Sequence, residues 1–377
     1  MLDAATPATS APDAPARDPT LAALVERVAQ ARAARRPLCI RGGGTKDFYG
    51  NPPQGEPLDL RALGGVSAYE PTELVVTVRA GTPLLELEAL LAREGQCLPF
   101  EPPRHGPAAT VGGAVATGLS GPARARVGSV RDHLLGATLL DGHGEVLAFG
   151  GQVIKNVAGY DVSRLLAGSL GILGVILEVS LKVLPLPHAS TTLRFELDQA
   201  SALARLHAWT REPLVLDASA WWDGMLVVRL RGAEPAVRAA AQRMGGEAVD
   251  ATAAEPFWTG LRDQTDPFFT RAVAGLAHEA ALWRLSMPAI APPLALDGDT
   301  LVEWHGAQRW LASARPAHEV RAAAAAAGGH ATLFRARDKS PGAFAPLASP
   351  LDRIHRELKR AFDPDGIFNP GRLIPGL

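Results

Sequence analysis

Apolar residues recur every three or four positions in some stretches and every second position in others. These two periods divide the chain into helices and strands. Leu21, Leu24, Val25 and Val28 share one face of a helix predicted over Thr20–Arg35, with Asp18 as its N-cap and Pro19 at the first helical position. A short strand, Leu38–Arg41, runs into Gly42-Gly43-Gly44. Leu74–Arg79 predicts a strand and Pro83–Arg93 a helix. His133–Leu140 and Glu145–Phe149 predict two strands joined by the turn Asp141-Gly142-His143-Gly144. Asp161–Leu166 predicts a short helix, and Val175–Leu184 a long strand stopped by Pro185 and Pro187.

From His188 the style changes. Glycine clusters thin out and strands alternate with helices: Thr191–Leu197, helix Gln199–Thr210, Leu214–Trp221, Met225–Leu230 and helix Pro235–Met244. A second round follows, with helix Pro256–Ala274, strand Ala281–Met287 and helix Ala317–Ala327. This rhythm predicts helices covering one face of an antiparallel sheet, an α+β layer. An amphipathic helix, Leu351–Ala361, then runs into a loop that ends Asn369-Pro370-Gly371-Arg372-Leu373. The division expected is a disordered tail over 1–18, one domain over 19–187, a second over 188–345 and a C-terminal segment over 346–377.

Composition narrows the class. In 377 residues, 38 Lys+Arg stand against 39 Asp+Glu, a balance that argues against a nucleic-acid binder or a protein built for an acidic membrane surface. Cys39 and Cys97 form no CxxC and cannot make a four-cysteine metal or iron–sulfur site, and so few cysteines suit a reducing compartment. The Ala/Pro/Thr-rich start has neither the basic residues nor the apolar run of a secretory signal. The most apolar region, 165–184, is broken by Gly168, Gly171, Gly174, Glu178 and Lys182, whereas a membrane span needs ~20 mostly apolar residues. A cytoplasmic protein with no membrane span is expected, with membrane association only through partners.

Candidate chemistry sits in three glycine-rich loops. Arg41-Gly42-Gly43-Gly44-Thr45-Lys46 follows a strand, and successive glycines let backbone N–H groups point into one concavity that holds phosphate; an ordinary flexible turn is the alternative. No GxxxxGK[ST] and no GxGxxG between strand and helix is present. The run from Gly106 to Gly121, including Thr110, Gly112, Gly113 and Ser120, has almost only small side chains; it suits a flat ligand lying against backbone, or equally a packed Gly/Ala helix. Lys155-Asn156-Val157-Ala158-Gly159-Tyr160-Asp161 precedes Gly168, Gly171 and Gly174, spaced by three ahead of Val175 and Ile176. A surface loop and turn account poorly for three such loops inside one block of the chain.

Taken in order, RGGGT, the P…T-V-G-G loop, KN-x-x-GYD and GS-x-G-x-LG-x-I-x-E-x-x-L-K resemble the FAD-binding domain of the vanillyl-alcohol-oxidase (PCMH-type) flavoproteins over residues 20–187. The closing NPGRL is similar to the end of their glycolate oxidase and D-lactate dehydrogenase branch. LPFEPPRHG (98–106), GLSGPARAR (118–126), GSVRDHLLG (128–136) and GGQVIKNVAGYDVSRLLAGSLGILG (150–174) look most like the FAD-binding subunits of bacterial glycolate oxidases. The resemblance implies an α+β fold: a PCMH-type FAD-binding domain of two α/β subdomains, a smaller ferredoxin-like α+β cap, and a C-terminal helix returning to the FAD domain. It implies that Arg41–Lys46 meet the pyrophosphate. Thr110, Gly112, Gly113, Ser120 and Gly121 would line the pyrophosphate and flavin side. Gly159, Tyr160, Asp161, Gly168, Gly171, Gly174, Val175 and Ile176 would meet the adenosine end and ring. The implied partners are a catalytic flavin subunit and an iron–sulfur subunit, with a small 2-hydroxy acid as substrate of the complex.

Two departures matter. Relatives with covalent FAD carry a histidine directly after the glycines; Thr45 stands there, so FAD is expected to be non-covalent. The branch's catalytic enzymes carry an H-x-G-D-G-N-x-H metal and substrate segment, which this chain lacks, so no metal site and no catalytic residue can be assigned. His105 and Tyr160 are the polar residues adjoining the flavin loops. Arg337 and Lys339 could meet a carboxylate, a solvated charged loop being the alternative. The readings that follow are a flavin-bearing redox subunit, a structural flavoprotein that organises a complex, or a stand-alone FAD-dependent oxidase.

Overall fold

The computed structural model describes residues 18–151 and 161–377. The first unit runs α1 (Pro19–Ala34), β1 (Leu38–Arg41), β2 (Glu56–Asp59), β3 (Val66–Glu70), β4 (Val75–Arg79), α2 (Leu84–Arg93), β5 (Gln96–Cys97), α3 (Val111–Thr117), α4 (Arg124–Val127), α5 (Val130–His133), β6 (Leu134–Leu140), β7 (Val146–Gly150), β8 (Val175–Lys182) and β9 (Leu184–Pro185). Asp18 caps α1 as expected, its carboxylate accepting from the N–H groups of Thr20 and Leu21 with Pro19 next in line. β1 and β2 form a small parallel pair, and five strands form a sheet in the order β3-β4-β8-β6-β7. β8 lies at its centre and is buried on both faces. Val175 and Leu177 join the core under α1, whereas Ile176, Val179 and Leu181 join the core under α2 and α3. Two covered faces explain why VILEVSLK reads as a nearly continuous apolar run.

The second unit runs β10 (Ala189–Glu196), α6 (Gln199–Trp209), β11 (Leu216–Trp222), β12 (Met225–Gly232), α7 (Glu234–Met244), β13 (Glu247–Val249), α8 (Ala251–Asp263), α9 (Pro267–Gly275), β14 (Ala281–Ser286), β15 (Asp299–Glu303), β16 (Gln308–Ser313), α10 (Ala317–Ala326) and β17 (His330–Arg335). Its eight strands make one antiparallel sheet, ordered β13-β10-β12-β11-β15-β16-β14-β17. The order is two four-stranded halves written in opposite directions. In each half the first strand lies between the fourth and the third, the ferredoxin-like arrangement, and the two second strands, β11 and β15, join the halves. The loose two-fold rhythm of the sequence is this duplication.

The structure corrects several predicted elements. Pro256–Ala274 is two helices, because Gln264 takes a left-handed φ of 57° and Asp266-Pro267 starts α9 with the same cap that starts α1. Asp250 opens α8 well before Pro256, which the helix contains. Leu74 sits at φ 57° in a turn, so β4 starts at Val75. Asp161–Leu166 is reduced to one 3₁₀ turn over Ser163–Leu165. Strands β2, β3, β5, β13, β15, β16 and β17 add to those read from the pattern.

After β17 the chain returns to the first unit as α11 (Leu351–Phe362). Phe362 packs edge-on to Phe149, and the Lys359 ammonium is buried on the Asp363 carboxylate (2.6 Å) and the carbonyls of Ile172 and Phe368. Phe368 then pairs beside Leu38 of β1. Among the described residues no helix is long and apolar enough to cross a membrane.

The seam between the units carries buried charge. Glu101, held at φ 46° in the LPFEPPRHG segment, accepts from Arg229 (2.7 Å), Arg231 (2.8 Å) and the Ala123 N–H (3.0 Å). Arg229 also binds Asp217 (2.6 Å) and lies over the Trp258 ring. Burial alone would raise the Glu101 carboxyl, but the two guanidiniums and the backbone donor outweigh it and hold it below the usual glutamate range. Replacing Glu101 with Ala leaves Arg229, which is 3% exposed, with Asp217 as its one carboxylate and removes the close partner of Arg231, and is expected to cost ~1–3 kcal/mol in chemical denaturation. The folded carboxyl titrates below its unfolded value of about 4.3, so its stabilisation is complete above that pH. It is lost as pH falls through the folded value, and a denaturation series on wild type and Glu101→Ala should converge in acid.

Candidate functional site

β1 delivers the chain into the first glycine loop, and the loop is pressed against the start of α3. A Cβ on Gly42 would lie 2.2 Å from Thr110 Oγ1, and one on Gly43 would lie 1.6 Å from the Ala108 carbonyl oxygen. Gly44 turns at φ 70°. Only glycine permits this approach. The N–H groups of Gly42, Gly43, Gly44, Thr45 and Lys46 take no hydrogen-bond partner among the described residues. Five free donors in succession around a concavity form a nest for an anion.

The concavity opens into a cleft of about 520 Å³ that adjoins a second space of about 410 Å³. Arg41 to Lys46, Thr110 and Gly113 line the first; Gly42, Thr110, Gly112, Gly113, Gly171, Gly174 and Ile176 line the second. Three separated loops of the sequence thus share one elongated, small-walled groove. Both readings of the small-residue stretch hold together: Val111–Thr117 is a packed helix, and its glycine face lines the groove. The remaining predicted residues lie elsewhere. Ser120 and Gly121 sit at the seam under the second unit. Asp161 is an exposed partner of Ser163 and Arg164. Gly168 donates to the Val115 carbonyl, packs against Gly118 and does not line the groove. Val175 is fully buried in β8. Gly159 and Tyr160 lie outside the described residues.

Two residues complete the groove that loop reading alone did not single out, Asn369 and Arg372. Asn369, at φ 41°, donates from its backbone N–H to the Leu38 carbonyl (2.9 Å). Its side chain accepts from the Ile40 N–H (2.7 Å) and donates to the Leu170 carbonyl (2.6 Å). One amide therefore fixes β1, which carries the first loop, to the loop that carries Gly171 and Gly174. Arg372 donates to the carbonyls of Asn51, Asp47 (2.9 Å) and Lys46 (3.5 Å), holding the far side of the nest. Arg41 pairs with Asp47 at 2.5 Å. The NPGRL motif was the available signal for both.

At the seam end of the groove the Thr45 hydroxyl donates to the Arg104 carbonyl (2.9 Å), and Lys46 reaches the same oxygen (3.4 Å). Burial pulls Lys46 down to about 8, against the pull of Asp263. His105, at φ 54°, is pushed down to about 3 by burial and by Lys46 and Arg335, so its ring is neutral, and Nε2 is buried without a partner among the described residues. Arg335 lies 3.4 Å over the Phe48 ring. Lys339 is not solvated: its ammonium donates to the carbonyls of Phe48, Gly50 (2.8 Å) and Phe334 (3.2 Å), tying the second unit to the first, while Arg337 stays exposed. The nest and the Lys46 ammonium beside it suit an anionic ligand, while His105 lines neither of the two spaces.

Comparison with known proteins supplies the name of such a ligand. Residues 16–150 match the family model described as an FAD binding domain. The chain is 48% identical over 355 residues to glycolate oxidase subunit GlcE of Escherichia coli strain K12, covering 94% of this chain and 97% of that protein. It is 34% identical over 151 residues to the mitochondrial D-lactate dehydrogenase [cytochrome] of Arabidopsis thaliana, and 30% identical over 174 residues to glycolate oxidase subunit GlcD of Bacillus subtilis strain 168. Those two matches span 39% and 45% of this chain and 26% and 37% of those proteins. Among solved structures, alkyldihydroxyacetonephosphate synthase superposes with a TM-score of 0.61 at 14% identity, covering 92% of this chain and 75% of that one, a likeness of fold. The nest of backbone donors and the small residues that line both adjoining spaces fit FAD. With nearly the whole of both chains aligned at close to half identity, the chain belongs to the glycolate oxidase GlcE subunit family, whose FAD-binding domain is of the vanillyl-alcohol-oxidase (PCMH) type.

Proposed function

We propose that this chain is the FAD-holding subunit of a cytoplasmic glycolate oxidase complex, working beside a catalytic flavin subunit and an iron–sulfur subunit in the oxidation of glycolate or a close 2-hydroxy acid to the 2-oxo acid. The observation that carries the reading is the groove with its row of five N–H groups that have no partner among the described residues, in a chain that aligns over 94% of its length with a glycolate oxidase subunit. Bound flavin supplies the redox chemistry, and the protein supplies position and electrostatics. Gly42 to Lys46 hold the pyrophosphate through backbone donors. Gly112, Gly113, Gly171 and Gly174 give the ligand close passage along backbone. Thr45 spends its hydroxyl on the Arg104 carbonyl and offers no side chain for a covalent link, so FAD is held non-covalently. Lys46 and the neutral His105 place a cation and an imidazole at the seam, where the second unit excludes water.

One absorption experiment tests the reading. The purified chain, supplied with FAD and desalted, is expected to keep the visible flavin band after denaturation-free washing and to release all of it on unfolding. Anaerobic glycolate should bleach that band when the partner subunits are present. A chain that keeps no flavin overturns the proposal; a flavin that stays oxidised in the assembled complex makes the subunit structural.

Gly43→Ala is the sharpest variant, because its Cβ would fall on the Ala108 carbonyl oxygen. It is expected to weaken FAD binding about tenfold or more, ~1.4 kcal/mol, read by fluorescence titration of the apo chain. Asn369→Ala leaves the Ile40 N–H and the Leu170 carbonyl without their partner and should lower stability by ~2–4 kcal/mol in denaturant. Added FAD should recover part of that loss by mass action.

A further inference from the structure

Two cations stand in the nest loop, and they are treated differently. Arg41 spends its charge on Asp47, whereas Lys46 makes no ion pair among the described residues. Lys46 lines the first space of the groove and is 7% exposed. Its ammonium makes one hydrogen bond to a described residue, the long one to the Arg104 carbonyl (3.4 Å). An ammonium carries three donors, so most of its capacity is unspent beside backbone donors that are equally unspent. A cation so deeply placed is unfavourable until an opposite charge reaches it.

The carboxylate that attracts it belongs to the second unit. Asp263, the last residue of α8, accepts from the Arg104 N–H (2.9 Å) and from Arg262 (2.9 and 3.3 Å). Arg104 is thus held at both backbone groups, its N–H by Asp263 and its carbonyl by Thr45 and Lys46. The other charges around Lys46 offer it no partner. The Arg104 guanidinium goes to Glu88 of α2 (2.8 Å), which Arg262 also approaches (3.7 Å). His105 is neutral, and Arg335 at the end of β17 is a further cation. Arg372 donates to the Lys46 carbonyl, and Lys339 to that of Phe48. Among the described residues none of the second unit lines either space of the groove, yet one of its carboxylates governs the charge at the groove's end.

We propose that the Lys46 ammonium is a side-chain counter-charge for the cofactor's diphosphate and that Asp263 positions it, so that docking of the second unit and capture of FAD favour one another. The proposal rests on the FAD-holding reading above and adds to it a route by which the second unit acts on a site that it does not line. Coupling of this kind is reciprocal: what strengthens docking strengthens capture, and bound FAD strengthens docking. It also ties capture to pH. Burial pulls Lys46 down to about 8 while Asp263 pulls it up, and a diphosphate beside the ammonium would raise it further. Below about 8 Lys46 is already charged, and capture needs no proton. Above that value Lys46 must take up a proton as the diphosphate arrives, and affinity falls as pH rises.

Isothermal titration of the flavin-free full chain with FAD, across pH and in buffers of different protonation enthalpy, tests this. Wild type is expected to show an affinity that is level below about 8 and falls above it, with proton uptake on binding in the falling range. Lys46→Gln should weaken binding about tenfold at neutral pH and abolish both the fall and the uptake. Asp263→Asn keeps an acceptor for the Arg104 N–H and removes the charge. It should move the break to lower pH in the wild-type background and change nothing further in the Lys46→Gln chain. A merely structural Asp263 would leave the break where it is. Wild-type affinity that stays level through about pH 9, a break unmoved by Asp263→Asn, or additive effects of the two substitutions each overturns the proposal. The wild-type profile can do so even if a variant fails to fold. A chain that holds FAD equally well at every pH loses this proposal and keeps the proposed function, and a chain that binds no FAD loses both.

Discussion

The seam between the two units is held by charge that neither unit could bury alone. Arg229 is almost inaccessible on a strand of the cap, and its two carboxylate partners come from opposite sides: Asp217 from its own sheet, Glu101 from the FAD domain. Asp217 neutralises that guanidinium within the cap, and Glu101 of the LPFEPPRHG segment supplies the second carboxylate that Arg229 and Arg231 share across the seam. That docking also sets the segment's geometry. Glu101 and His105 both sit at left-handed φ, and the residues between them deliver the Arg104 carbonyl to Thr45 and Lys46. The Arg104 N–H is in turn held by Asp263 of the cap (2.9 Å). The ion cluster therefore does more than join two bodies, since it places one end of the cofactor groove.

The groove is assembled from four stretches far apart in the chain, and the division of labour among them is chemical. Glycines supply free donors and close passage. The Lys46 ammonium stands beside the nest, at the end of the groove nearest the seam. A single amide, that of Asn369, sets the spacing between the two loops that must face each other, because it both accepts and donates. An aspartate in its place could not donate to Leu170, and a smaller residue would reach neither loop.

Much of this was legible beforehand. The Asp18-Pro19 cap, the central strand VILEVSLK and the amphipathic C-terminal helix are local signals, and each produced the structure its residues imply, while that helix's return to the first unit was expected from the family resemblance. The same Asp-Pro signal at 266–267 divides Pro256–Ala274, and apolar periodicity alone ran across it. The edge strand Glu56–Asp59 was hidden because it carries a proline and two acids and pairs through backbone. In the site, the loops were visible as glycine clusters but the clamp was not: Asn369 accepts from the Ile40 N–H and Arg372 donates to the Asn51 carbonyl, backbone groups more than 300 residues earlier, a relation no period or spacing encodes. Lys339 misled for the opposite reason. It sits among Arg, Asp and Ser, as surface residues do, yet three carbonyls of two units surround its ammonium.

The pairing of Leu38 with Phe368 bears on the order of biosynthesis. The glycine loop leaves the ribosome early, but the strand in front of it has β2 alone as a neighbour, and the loop lacks its amide clamp, until residues 367–373 have emerged. The nascent chain can build its sheets in sequence, yet it cannot present a finished cofactor groove during translation. A product terminated within α11 or earlier would carry every glycine loop but lack the Asn369 amide that ties β1 to the Leu170 loop.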